Sequence, residues 1–315
     1  MPNIEEQNLT EFLLEVKAKM VNITTSENNE INNINKYVLD NSGKFIRSKI
    51  IYLYGSEIGV KKLKLIELAS AAELIHLSTL IHDDIIDEAE LRRDLPTVEK
   101  KWGVKKAILY GDFLYTKTFQ ELNTFENISI ANVLINCAES LIEGEFNQLK
   151  IKNNATFSIQ DYFDVIDNKT AVLFSGVLKC LGIEAKFTAN EILELEQLGL
   201  SFGRAFQIND DLNDFKDSKI TGKAKFKDLA DGKLTLPMIF LLESLEEEKQ
   251  IEILKIVENE NFLKIEEILN SSGCFEKARR QRQAAINQCI EYTERFIKLD
   301  KLNELKIFLN STLVA

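Results

Sequence analysis

The chain has 315 residues, 45% hydrophobic and 28% charged, with only 3 Pro and 13 Gly; the length supports a full-sized core, and so few breakers exclude turn-rich sandwiches, barrels and parallel-sheet folds. Its 50 acidic residues exceed its 39 basic ones by 11, which excludes the basic footprint of a nucleic-acid binder. Four scattered cysteines without a CxxC spacing exclude a disulfide scaffold or zinc site and fit a reducing cytoplasm, while the longest uncharged run, Asn127 to Ala138, is too short for a transmembrane segment, and the first six residues hold no secretory signal.

In chain order the hydrophobic periodicity predicts helices at about 6–20, 28–40 and 45–58, the last following Ser42-Gly43. The stretch Lys61 to Asp87 comes next, and between Lys64 and Leu80 only Glu67 and Glu73 carry charge. A helix apolar almost all round is a central, buried one. Beyond Pro96 and Gly103 the pattern continues at 104–124, 128–150, 158–181 and 188–217, then 235–246, 249–271, 273–297 and 300–312. No Ser/Gly/Pro-rich linker divides the chain. The expectation is one all-α domain over 1–315, with the Lys/Glu-rich helices of about 244–315 packed on its outside.

Two of these helices end alike. Ile81-His82-Asp83-Asp84-Ile85-Ile86-Asp87 returns as Ile208-Asn209-Asp210-Asp211-Leu212-Asn213-Asp214. Positions i and i+4 share a helix face, so Asp83 pairs with Asp87 and Asp210 with Asp214, with Asp84 and Asp211 beside them. Aspartate is a mediocre helix former and costly to bury unpaired. Three at the end of an apolar helix, twice, call for a cation, and few hard oxygen ligands with room for water and phosphate suit Mg2+. One such triplet is also explained by a solvated helix end; two matched ones on the most apolar helices are not.

Cations follow the acidic groups. Lys44 and Arg47 come after Gly43, Arg92 and Arg93 after the first triplet, Lys169 precedes Thr170, and Lys223, Lys225, Lys227 and Lys233 follow the second triplet. Guanidinium groups suit phosphate because their planar fork donates parallel hydrogen bonds. Surface salt bridging is the alternative, most readily for Lys225 and Lys227. Glu73-x-x-His76 resembles half of a di-iron carboxylate site, but the one other histidine, His82, has Thr79 three residues before it. His82-Asp83 as a phosphohydrolase pair leaves the second triplet and the lysines unexplained. His76 is either a phosphate donor or a satisfied core histidine. GxSxG, P-loop and GxGxxG patterns are absent.

Together these residues resemble the trans-isoprenyl diphosphate synthase family. The two triplets match its aspartate-rich motifs. Gly43-Lys44-Phe45-Ile46-Arg47, Glu73-Leu74-Ile75-His76, Leu91-Arg92-Arg93-Asp94-Leu95-Pro96-Thr97, Gly111-Asp112, Glu143-Gly144-Glu145 with Gln148, Lys169-Thr170, Phe206-Gln207 and the tract Asp228 to Pro237 follow in the family's order. The resemblance implies an all-α helical bundle around a deep central cavity, a homodimer, and a Mg2+-dependent prenyltransferase joining isopentenyl diphosphate to an allylic diphosphate. It implies that Asp83, Asp87 and Asp210 bind the metal, supported by Asp84, Asp211 and Asp214. Arg92, Lys169, Lys223 and Lys233 are expected on the allylic diphosphate. Lys44, Arg47, His76 and Arg93 are expected on isopentenyl diphosphate, with Phe206 against its hydrocarbon and the Thr170 and Gln207 oxygens near the allylic cation. Phe45, Asp94 and Lys225-Phe226-Lys227 depart from the family's usual arginine, glycine and small residues.

Short-chain members tend to block their cavity with aromatics just before the first motif. Here Ser78 and Thr79 stand there, with Leu74 and Ile75 further back, so the resemblance implies a long-chain product, octaprenyl foremost, for quinone side chains. The alternatives are a short-chain farnesyl or geranylgeranyl diphosphate synthase and a non-catalytic helical partner subunit. Terpene cyclases share the first motif, but Asp214 restores the synthase form of the second.

Overall fold

The structure, a computed structural model, describes residues 4–151, 157–216 and 225–314. In chain order its elements are α1 (Ile4–Thr24), α2 (Asn29–Asp40), α3 (Ile46–Glu57), α4 (Lys62–Ile86), β1 (Leu91–Arg92), β2 (Leu95–Pro96), α5 (Val98–Trp102), α6 (Val104–Leu122), α7 (Ile128–Ile151), α8 (Ile159–Ile166), a π turn (Asp167–Ala171), α9 (Val172–Glu184), α10 (Ala189–Asn213), α11 (Lys227–Ala230), α12 (Leu236–Glu243), α13 (Glu247–Glu258), α14 (Phe262–Ser272), α15 (Cys274–Phe296) and α16 (Leu299–Leu313). The all-α expectation holds: among the described residues the only strands are the two-residue pair β1 and β2.

The chain divides into two compact units: residues 1–139, 173–196 and 296–298 form the first, and 140–172, 197–295 and 299–315 the second. In the first, α4 packs against α1, α3 and α6. Leu65, Leu68, Ala69, Ala71, Ala72, Leu74 and Ile75 are all buried, and each large side chain so buried contributes about 1.5–3 kcal/mol. By length and composition α4 would suit a membrane, yet two thirds of its apolar stretch is buried inside the protein. It stops at Asp87, whose N–H donates to the carbonyls of Asp83 and Ile85.

A hairpin the periodicity did not foresee follows α4. Leu91 pairs with Pro96 and Arg92 with Leu95. Its two turn residues, Arg93 at φ 54 and Asp94 at φ 63, are both left-handed, as the two-residue turn matching strand twist requires. This explains why glycine is usual in the family at the position of Asp94, and why aspartate, which tolerates this region, can replace it.

In the second unit Tyr162, Ile166, Ile208, Leu212, Leu236 and Ile239 share one core with Ile253, Val257, Ile265, Leu269 and Phe275. The helices α13, α14 and the start of α15, expected to pack on the outside of the domain, bury their apolar residues in this core. Their charged faces dominate the composition, but their apolar stripes build this core. The single helix expected over 249–271 is two, broken at Asn259 to Asn261, where Glu260 has φ 54. The helix expected over 158–181 is interrupted by the π turn.

Candidate active site

The first acidic motif forms the last turn of α4. Asp83 and Asp87 are partly exposed, one turn apart. Asp84 points inward, 4% exposed, and receives a fork from Arg92: Nε lies 2.8 and 2.9 Å from its two oxygens and Nη2 2.6 Å from Oδ1. The hairpin thus supplies the cation that lets α4 bury this carboxylate. The fork leaves the Nη1 of Arg92 out of its contacts with Asp84.

The same unit gathers the cations expected on isopentenyl diphosphate. Arg47, in the first turn of α3, is buried and lies 4.6 Å over the Phe174 ring. Burial lowers its guanidinium to about 10, against the charge of Glu73, which raises it. Glu73 is fixed by Ser48, whose N–H and Oγ donate to Oε1 at 3.0 and 2.9 Å. The Nε of Arg47 is buried without an acceptor. Arg93 donates to the Asn41 carbonyl at 2.7 Å, and its guanidinium lies so close to Gly43 that a Cβ there would stand 2.1 Å from Nη2. His76 is held well below its ordinary pKa by burial and then by the charges of Arg47, Arg92 and Arg93. The structure therefore brings Arg47, His76, Arg92 and Arg93 within electrostatic reach, around a neutral imidazole. Lys44 beside them is exposed.

Of the residues expected to set product length, Leu74, Ile75 and Ser78 have no accessible surface. Ser78 Oγ donates to the Gly111 carbonyl of α6 at 2.7 Å. Thr79 is the partly exposed member of the row, and its hydroxyl donates to the carbonyl of His76.

The second unit builds its set around the π turn. Asp167, at the turn's start, is held by Arg204 through Nε at 2.7 Å and Nη2 at 2.5 Å. Two glycines let neighbouring helices press on the turn: a Cβ on Gly144 of α7 would stand 2.9 Å from the Lys169 nitrogen, and one on Gly203 of α10 2.3 Å from the Ala171 Cα. The extra residue of a π turn re-aims the side chains it carries. Lys169 reaches Glu145 and Gln148. Thr170 donates to Gln207 Oε1 at 2.8 Å, and Gln207 Nε2 donates to Asp211 Oδ1 at 3.0 Å.

Asp211 is buried and also accepts from Tyr162 Oη at 2.7 Å and the Leu236 N–H at 2.9 Å. Burial pushes its carboxyl up to about 7, with Asp228 adding and the three donors opposing. Asp214 Oδ1 accepts the Asp228 N–H at 3.0 Å, while Oδ2 is buried with no donor. Burial, then the charges of Asp228 and Asp210, also push it up to about 7. Asp210 is partly exposed, Lys233 is half-buried, and Phe206 stacks on Phe202 at 6.4 Å. Lys223 lies outside the described residues.

Sequence reasoning missed Tyr162, which lies 49 residues from Asp211 and has no periodic signal. It also gave no separate role to Asp228 or Glu73, although both stand in quoted motifs.

The donor set fits a hard divalent cation. Asp214 has an orphaned buried oxygen, and the charges of Asp228 and Asp210 act on its carboxyl. Among the described residues no three potential ligands converge into a closed metal cage. A hard divalent cation can be held by one or two carboxylates when water and substrate phosphate complete its shell.

Residues 28–271 match the family described as Polyprenyl synthetase. The octaprenyl diphosphate synthase of Escherichia coli (strain K12) is 31% identical over 280 residues, 87% of each chain. The geranylgeranyl diphosphate synthase of Saccharolobus solfataricus is 33% identical over 252 residues, 76% of this chain and 75% of that one. The crystal structure of a decaprenyl diphosphate synthase from Rhodobacter capsulatus superposes with a TM-score of 0.88 at 26% identity, covering 98% of this chain and 97% of that one. With its acidic motifs intact, the chain belongs to the polyprenyl synthetase family and is a prenyltransferase that makes polyprenyl diphosphates.

Proposed function

We propose that this prenyltransferase condenses isopentenyl diphosphate repeatedly onto an allylic diphosphate, with Mg2+, to make a long-chain product of about octaprenyl length. The observation that carries the catalytic part lies in the first unit: partly exposed carboxylates at Asp83 and Asp87, together with a guanidinium cluster around a neutral His76. Asp83, Asp87 and Asp210 would hold the metal. When bound, it neutralises diphosphate charge as the C–O bond breaks.

The chain's own groups do the rest. Arg92, Lys169, Lys223 and Lys233 hold the allylic diphosphate, Arg92 through the nitrogen its fork leaves over. Arg47, Arg93, His76 and Lys44 hold the diphosphate of isopentenyl diphosphate, with Phe206 on its hydrocarbon. Thr170 donates its proton to Gln207, so its oxygen lone pairs remain for a neighbouring cation. The released diphosphate takes the proton, which fits a chain with two histidines.

The long product is supported by Thr79, small, polar and partly exposed where an aromatic plug would stand. A homodimer is supported by Ile128, Ile135, Ile142 and Leu149, exposed at seven-residue spacing along α7. Four free thiols suit a cytoplasmic location.

The test is chromatography of products from purified protein, Mg2+, farnesyl diphosphate and isopentenyl diphosphate. A long-chain product is expected, and Thr79→Phe should shorten it to three or four isoprene units. A wild-type product ending at farnesyl or geranylgeranyl diphosphate overturns the long-chain reading.

A further inference from the structure

The hairpin that carries Arg92 and Arg93 needs outside support. Its strands have two residues each, and an isolated hairpin is at best marginally stable in water. Both turn residues are left-handed and neither is glycine, a conformation that persists only where the surroundings impose it. Arg92 keeps its fork on Asp84, which ties it to α4. Arg93, at the turn, is tethered by its own guanidinium, whose Nη1 donates to the Asn41 carbonyl. That guanidinium is also the group proposed to meet a diphosphate. A tether that moves with the ligand does not fix the backbone that aims it, so the aim of Arg93 needs a support that uses no arginine.

The last turn of α2 and the short α5 supply one. Tyr37 Oη donates to the Pro96 carbonyl at 2.7 Å. Proline has no N–H, so this carbonyl is the whole of its backbone hydrogen bonding. Pro96 stands across from Leu91 at the open end of the hairpin. Tyr37 and Asn41 are four residues apart on α2 and so share a face: the first holds the open end of the hairpin, the second its turn. Asn41 Nδ2 closes back on the Tyr37 carbonyl at 2.8 Å, which links the two points.

The Tyr37 ring is itself held. Trp102 meets it edge-on, centroids 5.1 Å apart. The Lys101 ammonium stands 3.7 Å from the Tyr37 centroid and 4.7 Å from that of Trp102, an attraction of cation to ring face for both. Thr97, the residue after Pro96, is the N-cap of α5, so the helix that carries Lys101 and Trp102 starts where the hairpin ends.

We infer that Tyr37 is a positioning residue for Arg93: its hydroxyl, held in place by Lys101 and Trp102, sets the hairpin from which Arg93 reaches isopentenyl diphosphate, the substrate proposed for it. Arg92 depends on Tyr37 less, because its fork on Asp84 anchors it separately.

The experiment is steady-state kinetics of the full chain with Mg2+, varying isopentenyl and farnesyl diphosphates in turn, in wild type, Tyr37→Phe, Arg93→Lys and the double variant. Tyr37→Phe should raise the KM for isopentenyl diphosphate about threefold to tenfold, the worth of one hydrogen bond. The farnesyl diphosphate KM and kcat should change less than about twofold. Pro96 is exposed, so its carbonyl returns to water and the thermal midpoint should stay within about 2 °C. In the Arg93→Lys background the effect of Tyr37→Phe should disappear, as expected for two residues acting through one contact. Lys101→Met should shift the same KM by about twofold, and Lys101→Arg should restore it.

Unchanged KM values in Tyr37→Phe overturn the inference, as do equal losses on both substrates with a lowered midpoint, or full additivity with Arg93→Lys. If Arg93→Lys and Tyr37→Phe are non-additive on farnesyl diphosphate instead, the positioning role stands and the substrate proposed for Arg93 falls. If Arg93→Lys moves neither KM, both fall.

Discussion

The two acidic motifs share a sequence pattern but sit in opposite electrostatic settings. In the first, the buried middle aspartate, Asp84, receives two arms of Arg92. In the second, the equivalent Asp211 has three neutral donors, Gln207, Tyr162 and the Leu236 N–H. Its neighbours include Asp228, another acid, and both Asp211 and Asp214 are pushed up to about 7. The first motif thus arrives with part of its charge balanced. The second buries two carboxyls, Asp211 and Asp214, that burial pushes up to about 7 and that a bound cation would ionise fully. A repeated motif is not a repeated site: what surrounds each copy decides which aspartates are scaffold and which face a ligand.

The sharpest way to break this comparison is to remove one partly exposed carboxylate from each motif. Asp83→Ala and Asp210→Ala should each lower turnover by about 10²–10³ or more, the loss of roughly 3–4 kcal/mol seen when one charge-stabilising group is deleted. Near-normal rates in either, with circular dichroism unchanged, would remove that motif from the chemistry.

A smaller effect separates scaffold from ligand. Arg92→Met leaves Asp84 buried without its cation. Because Arg92 is 38% exposed, solvent screens the pair, and a loss of about 1–3 kcal/mol in unfolding free energy is expected, below the 3–5 typical of a fully buried pair. Arg92→Met/Asp84→Leu should recover most of that stability but not activity. If Arg92→Met alone costs nothing in denaturant unfolding, the fork is not structural.

The smallest effect has a distinctive sign. A carboxyl raised from an unfolded value near 4 to about 7 favours folding while protonated; that contribution is complete below about pH 4 and is lost as pH rises through 7. In metal-free protein, Asp214→Asn should therefore raise stability over wild type at pH 8, by about 1–2 kcal/mol, and the gain should vanish near pH 4. Asparagine keeps the acceptor for the Asp228 N–H. Thermal midpoints across pH 4–8 in EDTA measure it, and a loss of stability at pH 8 would reverse the account of the second motif.

Much of this was legible in the chain itself. The i, i+4 aspartates, the apolar run leading to Asp83 and the order of cations need only local spacing. What was hidden depended on distant partners or on backbone. Asp84 and Asp211 look equivalent until Arg92 and Tyr162 are in place. Lys169 and Thr170 owe their aim to a π turn that hydrophobic periodicity does not encode, held between Gly144 and Gly203. The left-handed turn at Arg93-Asp94 was concealed because aspartate stood where glycine would have announced it. The share of the core that the C-terminal helices build was hidden because their many charges outweigh, by count, the few apolar residues they bury.

The environment of His76 has one further consequence. Burial, and then the charges of three guanidinium groups, hold the ring well below its ordinary pKa. The ring therefore meets an incoming diphosphate as a neutral group at neutral pH. A pH dependence of isopentenyl diphosphate affinity is then expected that follows the ligand, whose last phosphoryl proton leaves at about pH 6 by analogy with phosphate esters. Arg47, Arg92 and Arg93 make the pocket a sensor of the substrate's ionisation, with no titration of its own to blur the response.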